Sequence, residues 1–274
     1  MKHLIPLLIM CSMSAMSCND TTPHYNDLVP VYKTFDITSA QIGEKRVINV
    51  WTPPNYDSTT DSFTVIYMAD GGMKEDFPHI ANTFDSLVKI KAIPPIILVG
   101  IENTERRRDL SGPTEVAKDK AITPVVGGSA KFRAFIKTEL MPEINKKYRT
   151  SGKQGILGES LSGYFVMETF FEDPNLFDYY IAFDPSIWWN NAYYPQNSER
   201  LLSQLADSIS TKKLWFAGSD ATDINPHTQL LASNLTKVNT PVVQWHYADE
   251  PREKHTTIFR NTKNKAIVWT LNQQ

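Results

Sequence analysis

The chain has 274 residues, 41 % of them apolar and 21 % charged, a composition far from that of a disordered segment and ample for a buried core. Its 28 Lys and Arg against 30 Asp and Glu leave a net charge of −2, so there is no basic excess to neutralise a phosphate backbone, and nucleic acid is not an expected partner. Only the extreme N-terminus carries a long apolar run, which excludes a helical protein with several membrane spans.

That opening has its own layout. Lys2 supplies a positive charge, residues 4–10 form a short apolar core, and the small-residue stretch 12–18 leads into polar sequence. This is the pattern of a secretory signal, too short to span a bilayer. Both cysteines, Cys11 and Cys18, lie in or beside it. Ala15-Met16-Ser17-Cys18 resembles the box of a bacterial lipoprotein signal. The resemblance implies cleavage after residue 17, lipidation of Cys18, and a periplasmic or cell-surface protein attached to the membrane by its N-terminal lipid only. Cysteine nucleophiles and thiolate metal sites are then ruled out. The expected organisation is a signal over 1–17, a tether over 18–30 and a single domain over 31–274.

Past the tether, residues 46–51 alternate polar and apolar and stop at Pro53-Pro54, which predicts a strand. Residues 63–68 and 96–99 are nearly continuous β-branched, aromatic or aliphatic runs, suited to strands buried on both faces. A helix opening at Ser129 carries Phe132, Phe135, Ile136, Leu140 and Ile144 on one stripe. A short strand at 155–157 runs into a helix over about 161–172. Strands at 180–183, 214–217 and 242–247 follow, with a helix at 229–235 between the last two and a helix-and-strand tail at the end. Strands alternating with helices predict an α/β fold, a mostly parallel central sheet with helices on both faces. Ligands bind such sheets beyond the C-terminal strand ends, so the chemistry belongs in the loops there.

The sharpest signal is Gly158-Glu159-Ser160-Leu161-Ser162-Gly163, placed between a strand and a helix. A strand that turns abruptly into a helix lifts the corner side chain to the top of the sheet, as in the nucleophile elbow Gly-x-Ser-x-Gly. Here Ser162 takes the place of the second glycine; it is small enough for the same close approach. Ser160 is therefore the candidate nucleophile, against the plainer alternative of a serine-rich turn capping a helix.

A serine hydroxyl needs a base, and in this architecture the partners follow in the order serine, acid, histidine. Of six histidines, His3, His24 and His79 precede the elbow. His246 sits inside an alternating strand, where a half-buried structural role is expected, and His227 opens a helix. His255, in the polar loop after the last strand, is the candidate general base. The acid should end the strand 214–217, where Asp220 is the nearer carboxylate and Asp223 the alternate. The oxyanion needs two backbone N–H groups. One should come from Leu161 at the helix N-terminus, the other from the glycine loop after residues 63–68, from Gly72 or, alternatively, Met73. Trp188 and Trp189 offer a platform for a substrate ring, or simply packing. In the run Arg106-Arg107-Arg108, Arg108 is a candidate to hold a substrate anion, or to pair with Asp109. Motifs for metalloprotease, phosphate-loop or calcium-loop chemistry are missing, so no metal and no cofactor are expected.

Further residues make the pattern specific: 67–71 (Tyr-Met-Ala-Asp-Gly), 99–104 with 108–110, 139–144 with Tyr148 and Arg149, the elbow, and 183–189 (Phe-Asp-Pro-Ser-Ile-Trp-Trp). From about Tyr32 onward the chain resembles the esterase D-like branch of the α/β-hydrolases. That branch includes siderophore (enterobactin-type) esterases, S-formylglutathione hydrolase, feruloyl and acetylxylan esterases, and the mycolyltransferases. The resemblance implies the α/β-hydrolase fold and a Ser–Asp/Glu–His triad on Ser160, Asp220 or Asp223, and His255. The implied function is an exported serine esterase acting on a small-molecule carboxylic ester, a siderophore or a sugar-linked acyl or feruloyl ester. The alternatives are an acyltransferase on the same scaffold and a surface lipoprotein that only binds a ligand. The branch commonly reads Gly-His-Ser-x-Gly-Gly, and Glu159 and Ser162 depart from it. A carboxylate beside the nucleophile is expected to disfavour anionic substrates.

Overall fold

The computed structural model describes residues 26–205 and 210–272; the signal segment and Cys18 lie outside them. In chain order the strands and helices are β1 (Lys33–Thr38), β2 (Lys45–Trp51), β3 (Phe63–Met68), α1 (Phe77–Lys89), β4 (Ile96–Ile101), α2 (Arg106–Leu110), α3 (Ala117–Ile122) and α4 (Ser129–Phe135). A π-helical turn, Ile136–Leu140, joins α4 to α5 (Met141–Lys147). Then come β5 (Thr150–Glu159), α6 (Leu161–Glu172), β6 (Tyr179–Phe183), α7 (Trp189–Gln204), β7 (Lys212–Gly218), α8 (Asn225–Val238), β8 (Val243–Asp249) and α9 (Ile258–Leu271).

The strands form one sheet in the order β1-β2-β4-β3-β5-β6-β7-β8. β1 pairs antiparallel with β2, and β2 with β4; every other neighbour is parallel. The α/β architecture expected from the alternation of elements is therefore the one observed. Side chains alternate across each central strand, so one strand feeds two cores. Val65 and Tyr67 of β3 face the layer of α4, α6, α7 and α8, with Phe132, Phe135, Phe165, Phe170 and Leu231. Ile66 and Met68 face α1 and α9, with Phe77, Ile80, Phe84, Ile258 and Ile267. Each such large side chain, fully buried, stabilises the fold by about 1.5–3 kcal/mol.

β1, α1, α2, α3 and α7 were not legible in the sequence. β1 is an edge strand whose outward face is exposed, and its polar alternation gives only a weak pattern. α1 begins just after the glycine loop, and its apolar stripe Phe77, Ile80, Ala81, Phe84, Leu87 packs on the sheet. The tail differs from expectation: it is a single helix, α9, because Ile258, Thr262, Ala266 and Thr270 recur at helical spacing and are buried. His246 also differs. It is exposed on the edge strand β8, its ring 5.7 Å from that of Trp269.

All the parallel strands end at one rim of the sheet. β5, β6 and β7 are neighbours there, in the register Glu159↔Phe183 and Phe183↔Ala217. That register brings the residues after each strand into one small region.

Candidate active site

Ser160 sits at the corner between β5 and α6 with φ 58° and ψ −118°, the left-handed region that L-residues avoid. Such a conformation costs on the order of 1–3 kcal/mol and persists only when its surroundings fix it. They do. Ser160 N–H donates to Phe183 O at 3.0 Å, and Ser160 O accepts from Tyr164 N–H at 2.9 Å and Ser186 N–H at 3.0 Å. Gly158 is required: a Cβ there would lie 2.2 Å from Ser162 Oγ and 2.6 Å from Ser162 C. Ser162, in the second glycine's place, adds a bond across the corner, its Oγ accepting from Glu159 N–H at 3.1 Å.

His255 reaches this corner from the loop after β8. Its Nε2 lies 3.0 Å from Ser160 Oγ, and Nδ1–H donates to Asp184 Oδ2 at 2.6 Å. Asp184 follows β6 directly, with φ 41° and a fully buried carboxylate. Two more donors hold it: Ser219 N–H reaches Oδ1 and Ser219 Oγ–H reaches Oδ2, both at 2.7 Å. Burial opposes charge on His255, but the Asp184 hydrogen bond and the charges of Glu159, Asp184 and Asp223 outweigh it and lift the imidazole above the ordinary histidine range.

The carboxylate that meets His255 thus follows β6, one strand earlier than the expected candidates Asp220 and Asp223. Asp220 does not meet His255; its carboxylate pairs with Lys254, and its N–H donates to Glu253 O at 3.0 Å, bracing the histidine loop from outside. Asp223 is exposed in the turn before α8 and contributes only a longer-range charge. The physical reason is the turn at Ser219: its side chain and amide are spent on Asp184, and the chain then leads away toward solvent.

Of the two amides sought for the oxyanion, Leu161 N–H opens α6, where the first turn's donors have no intrahelical acceptor and the dipole favours an anion. Gly72 does not fill the second place. Its N–H donates to Glu75 Oε2 at 2.7 Å while Glu75 N–H donates to Gly72 O at 3.0 Å, so the turn is closed by both the backbone and the side chain of Glu75. The spacing Gly72-x-x-Glu75 was the signal for it. The next amide, Met73 N–H, has no acceptor among the described residues and is the one free to serve. The loop is anchored by Gly71, whose Cβ would lie 2.2 Å from Ile101 N. It is anchored again by Asp70, which accepts from Asn103 Nδ2 and Arg106 Nε, each at 2.5 Å.

The remaining candidates divide. Trp188 is half-buried, with the Lys118 ammonium 5.8 Å from its ring, just beyond the triad segment. Trp189 is buried, and its Nε1–H donates to Gly112 O at 3.0 Å, so it packs and does not form a platform. Arg108 is engaged elsewhere: its guanidinium donates to Glu44, at 2.6 and 2.9 Å, and to Asp109, at 2.8 Å, the pairing offered as its alternative. These pairs tie α2 to the segment before β2. The cation that does reach the site is Arg106, through Asp70. Ser186 also goes beyond the sequence reading; its Oγ lies 3.4 Å from Ser160 Oγ.

Relatives of known name match most of the chain. The chain is 24 % identical over 254 residues to the ferri-bacillibactin esterase BesA of Bacillus subtilis (strain 168), covering 83 % of this chain and 86 % of that one. It is 26 % identical to the apo-salmochelin esterase of Escherichia coli, covering 97 % and 89 %. Among solved structures, an IroE-like serine hydrolase from Shewanella oneidensis superposes with a TM-score of 0.78 at 25 % identity, over 87 % of this chain and 79 % of that one. A family model described as "Putative esterase" matches residues 39–265, and the chain therefore belongs to that family, as a carboxylic ester hydrolase of the α/β-hydrolase type.

Proposed function

We propose that this protein is an exported serine hydrolase that opens esters of the siderophore type through an acyl-enzyme on Ser160. The observation that carries the reading is the hydrogen-bonded line from Ser160 Oγ through both ring nitrogens of His255 to the buried Asp184. Asp184 keeps the proton on Nδ1, so Nε2 is free to take the serine proton as Oγ attacks the ester carbonyl. The Leu161 and Met73 amides hold the developing oxyanion. His255 then protonates the leaving alcohol, and water, activated by the same imidazole, releases the acid. Relatives of this chain are named as esterases of ferri-bacillibactin and of apo-salmochelin, which favours a siderophore ester as substrate.

The test is a substrate panel. Purified protein should be labelled at Ser160 by a fluorophosphonate and should hydrolyse a siderophore ester with kcat/KM at least about tenfold above that for feruloyl or acetyl-sugar esters. Labelling with no such preference would leave a serine esterase of another substrate class.

Export with a lipid on Cys18 is part of the same reading and rests on the N-terminal layout. In a bacterial host the wild type should fractionate with membranes and Cys18→Ala with the soluble material. Equal partition of the two would refute lipidation.

A further inference from the structure

Glu159 occupies the place where the resembling branch has histidine, adjoining the nucleophile at the end of β5. Its Oε1 lies 3.6 Å from His255 Nε2, the same nitrogen that faces Ser160 Oγ. Any ester carbonyl attacked by Ser160 must therefore sit beside this carboxyl. The neighbouring carboxylates have dedicated donors: Asp184 accepts from Ser219 and His255, Asp70 from Asn103 and Arg106. Glu159 accepts no hydrogen bond from any described residue; its only close polar contact is with His255.

The charges that face it are few. Asp70, in the loop after β3, is matched by Arg106 of α2. Asp76, before α1, lies 3.3 Å from His79 Nδ1, whose imidazole burial pushes down toward the neutral form. His255 comes from the loop after β8. Burial pushes Glu159 up to about 8; Asp76 and Asp70 act in the same direction, while His255 and Arg106 oppose. The uncharged acid is therefore favoured to higher pH than for an ordinary glutamate. The expected bias against anionic substrates is thus shifted toward more alkaline solution.

We propose that Glu159 is a specificity-determining residue whose charge decides whether an ester bearing an anion near its scissile carbonyl is accepted. This rests on the hydrolase reading given above. When neutral, Glu159 tolerates an anionic group such as a catecholate arm. When ionised, it sets a like charge within a few ångströms of that group, in a site partly withdrawn from water. A ferric tris-catecholate is a multiply charged anion and a ferric tris-hydroxamate is neutral, so only esters of the first kind should lose access as pH rises.

The test uses p-nitrophenyl hydrogen adipate, an anion, and its methyl ester, which is neutral but of the same length. In the wild type the ratio of kcat/KM, anionic over neutral, should fall about tenfold between pH 7 and pH 9. In Glu159→Gln and in Glu159→Ala, neither of which titrates, the ratio should stay flat, and either variant suffices if the other fails to fold. A flat ratio in the wild type, or an equal fall in both variants, would overturn the proposal. Failure of the wild type to hydrolyse either ester, with no fluorophosphonate labelling, would instead remove the hydrolase reading and this inference with it.

Discussion

Ser160→Ala is expected to lower kcat for p-nitrophenyl acetate by roughly 10⁴-fold or more and to abolish fluorophosphonate labelling. Only the Oγ atom is lost, and its partners are His255 Nε2 and Ser186 Oγ. The strained corner is held by backbone hydrogen bonds that alanine keeps, and alanine in this φ region is no worse placed than serine. Circular dichroism and the thermal midpoint should therefore match the wild type, which separates lost chemistry from lost fold. Near wild-type turnover by a folded Ser160→Ala would show that another group attacks. Among the described residues Ser186 carries the hydroxyl that contacts Ser160 Oγ, so the double variant would then test it.

What the sequence disclosed about this site, and what it withheld, follows from how local each feature is. The elbow is a contiguous strand–turn–helix, so Gly158, Ser160 and Leu161 were readable from a few residues. His255 was readable because one polar loop follows the last strand. The acid is not local. β6 and β7 end side by side, and each is followed within three residues by an aspartate. The choice between Asp184 and Asp220 depends on a left-handed turn at Asp184 and on Ser219 pointing back toward it. The strand ending at Phe183 carried its own hint, a carboxylate directly before a proline at the sheet rim. The oxyanion loop shows the same division. Its glycines announced a close approach, which Gly71 makes, but which amide stays free depended on where the Glu75 side chain folds back. For Arg108 the local pair with Asp109 was among the alternatives the sequence offered, whereas its second partner, Glu44, lies far away in sequence and was not.

The competing aspartates give the sharpest comparison. Asp184→Asn should cost roughly 10³- to 10⁴-fold in kcat, whereas Asp220→Asn should stay within about threefold of the wild type. An amide at position 184 turns an NH₂ group toward either Ser219 or His255, both of which already donate. The imidazole escapes by moving its proton to Nε2, where it faces Ser160 as a donor and cannot accept the serine proton. Asp220 loses only a half-exposed pair with Lys254, worth about 0–1 kcal/mol. The pH profile provides a second readout. The Asp184 hydrogen bond lifts His255 above its ordinary value, so in the wild type kcat/KM should rise with pH through a limb above the usual histidine range. Without that bond, burial acts with less opposition and the limb should move to lower pH in Asp184→Asn while remaining in place in Asp220→Asn. Because the triad acts as a unit, Asp184→Asn added to Ser160→Ala should cause almost no further loss. The reverse pattern, with Asp220→Asn inactive and Asp184→Asn near normal, would return the acid to the strand end after β7 and mean that the loop carrying His255 rearranges before the reaction.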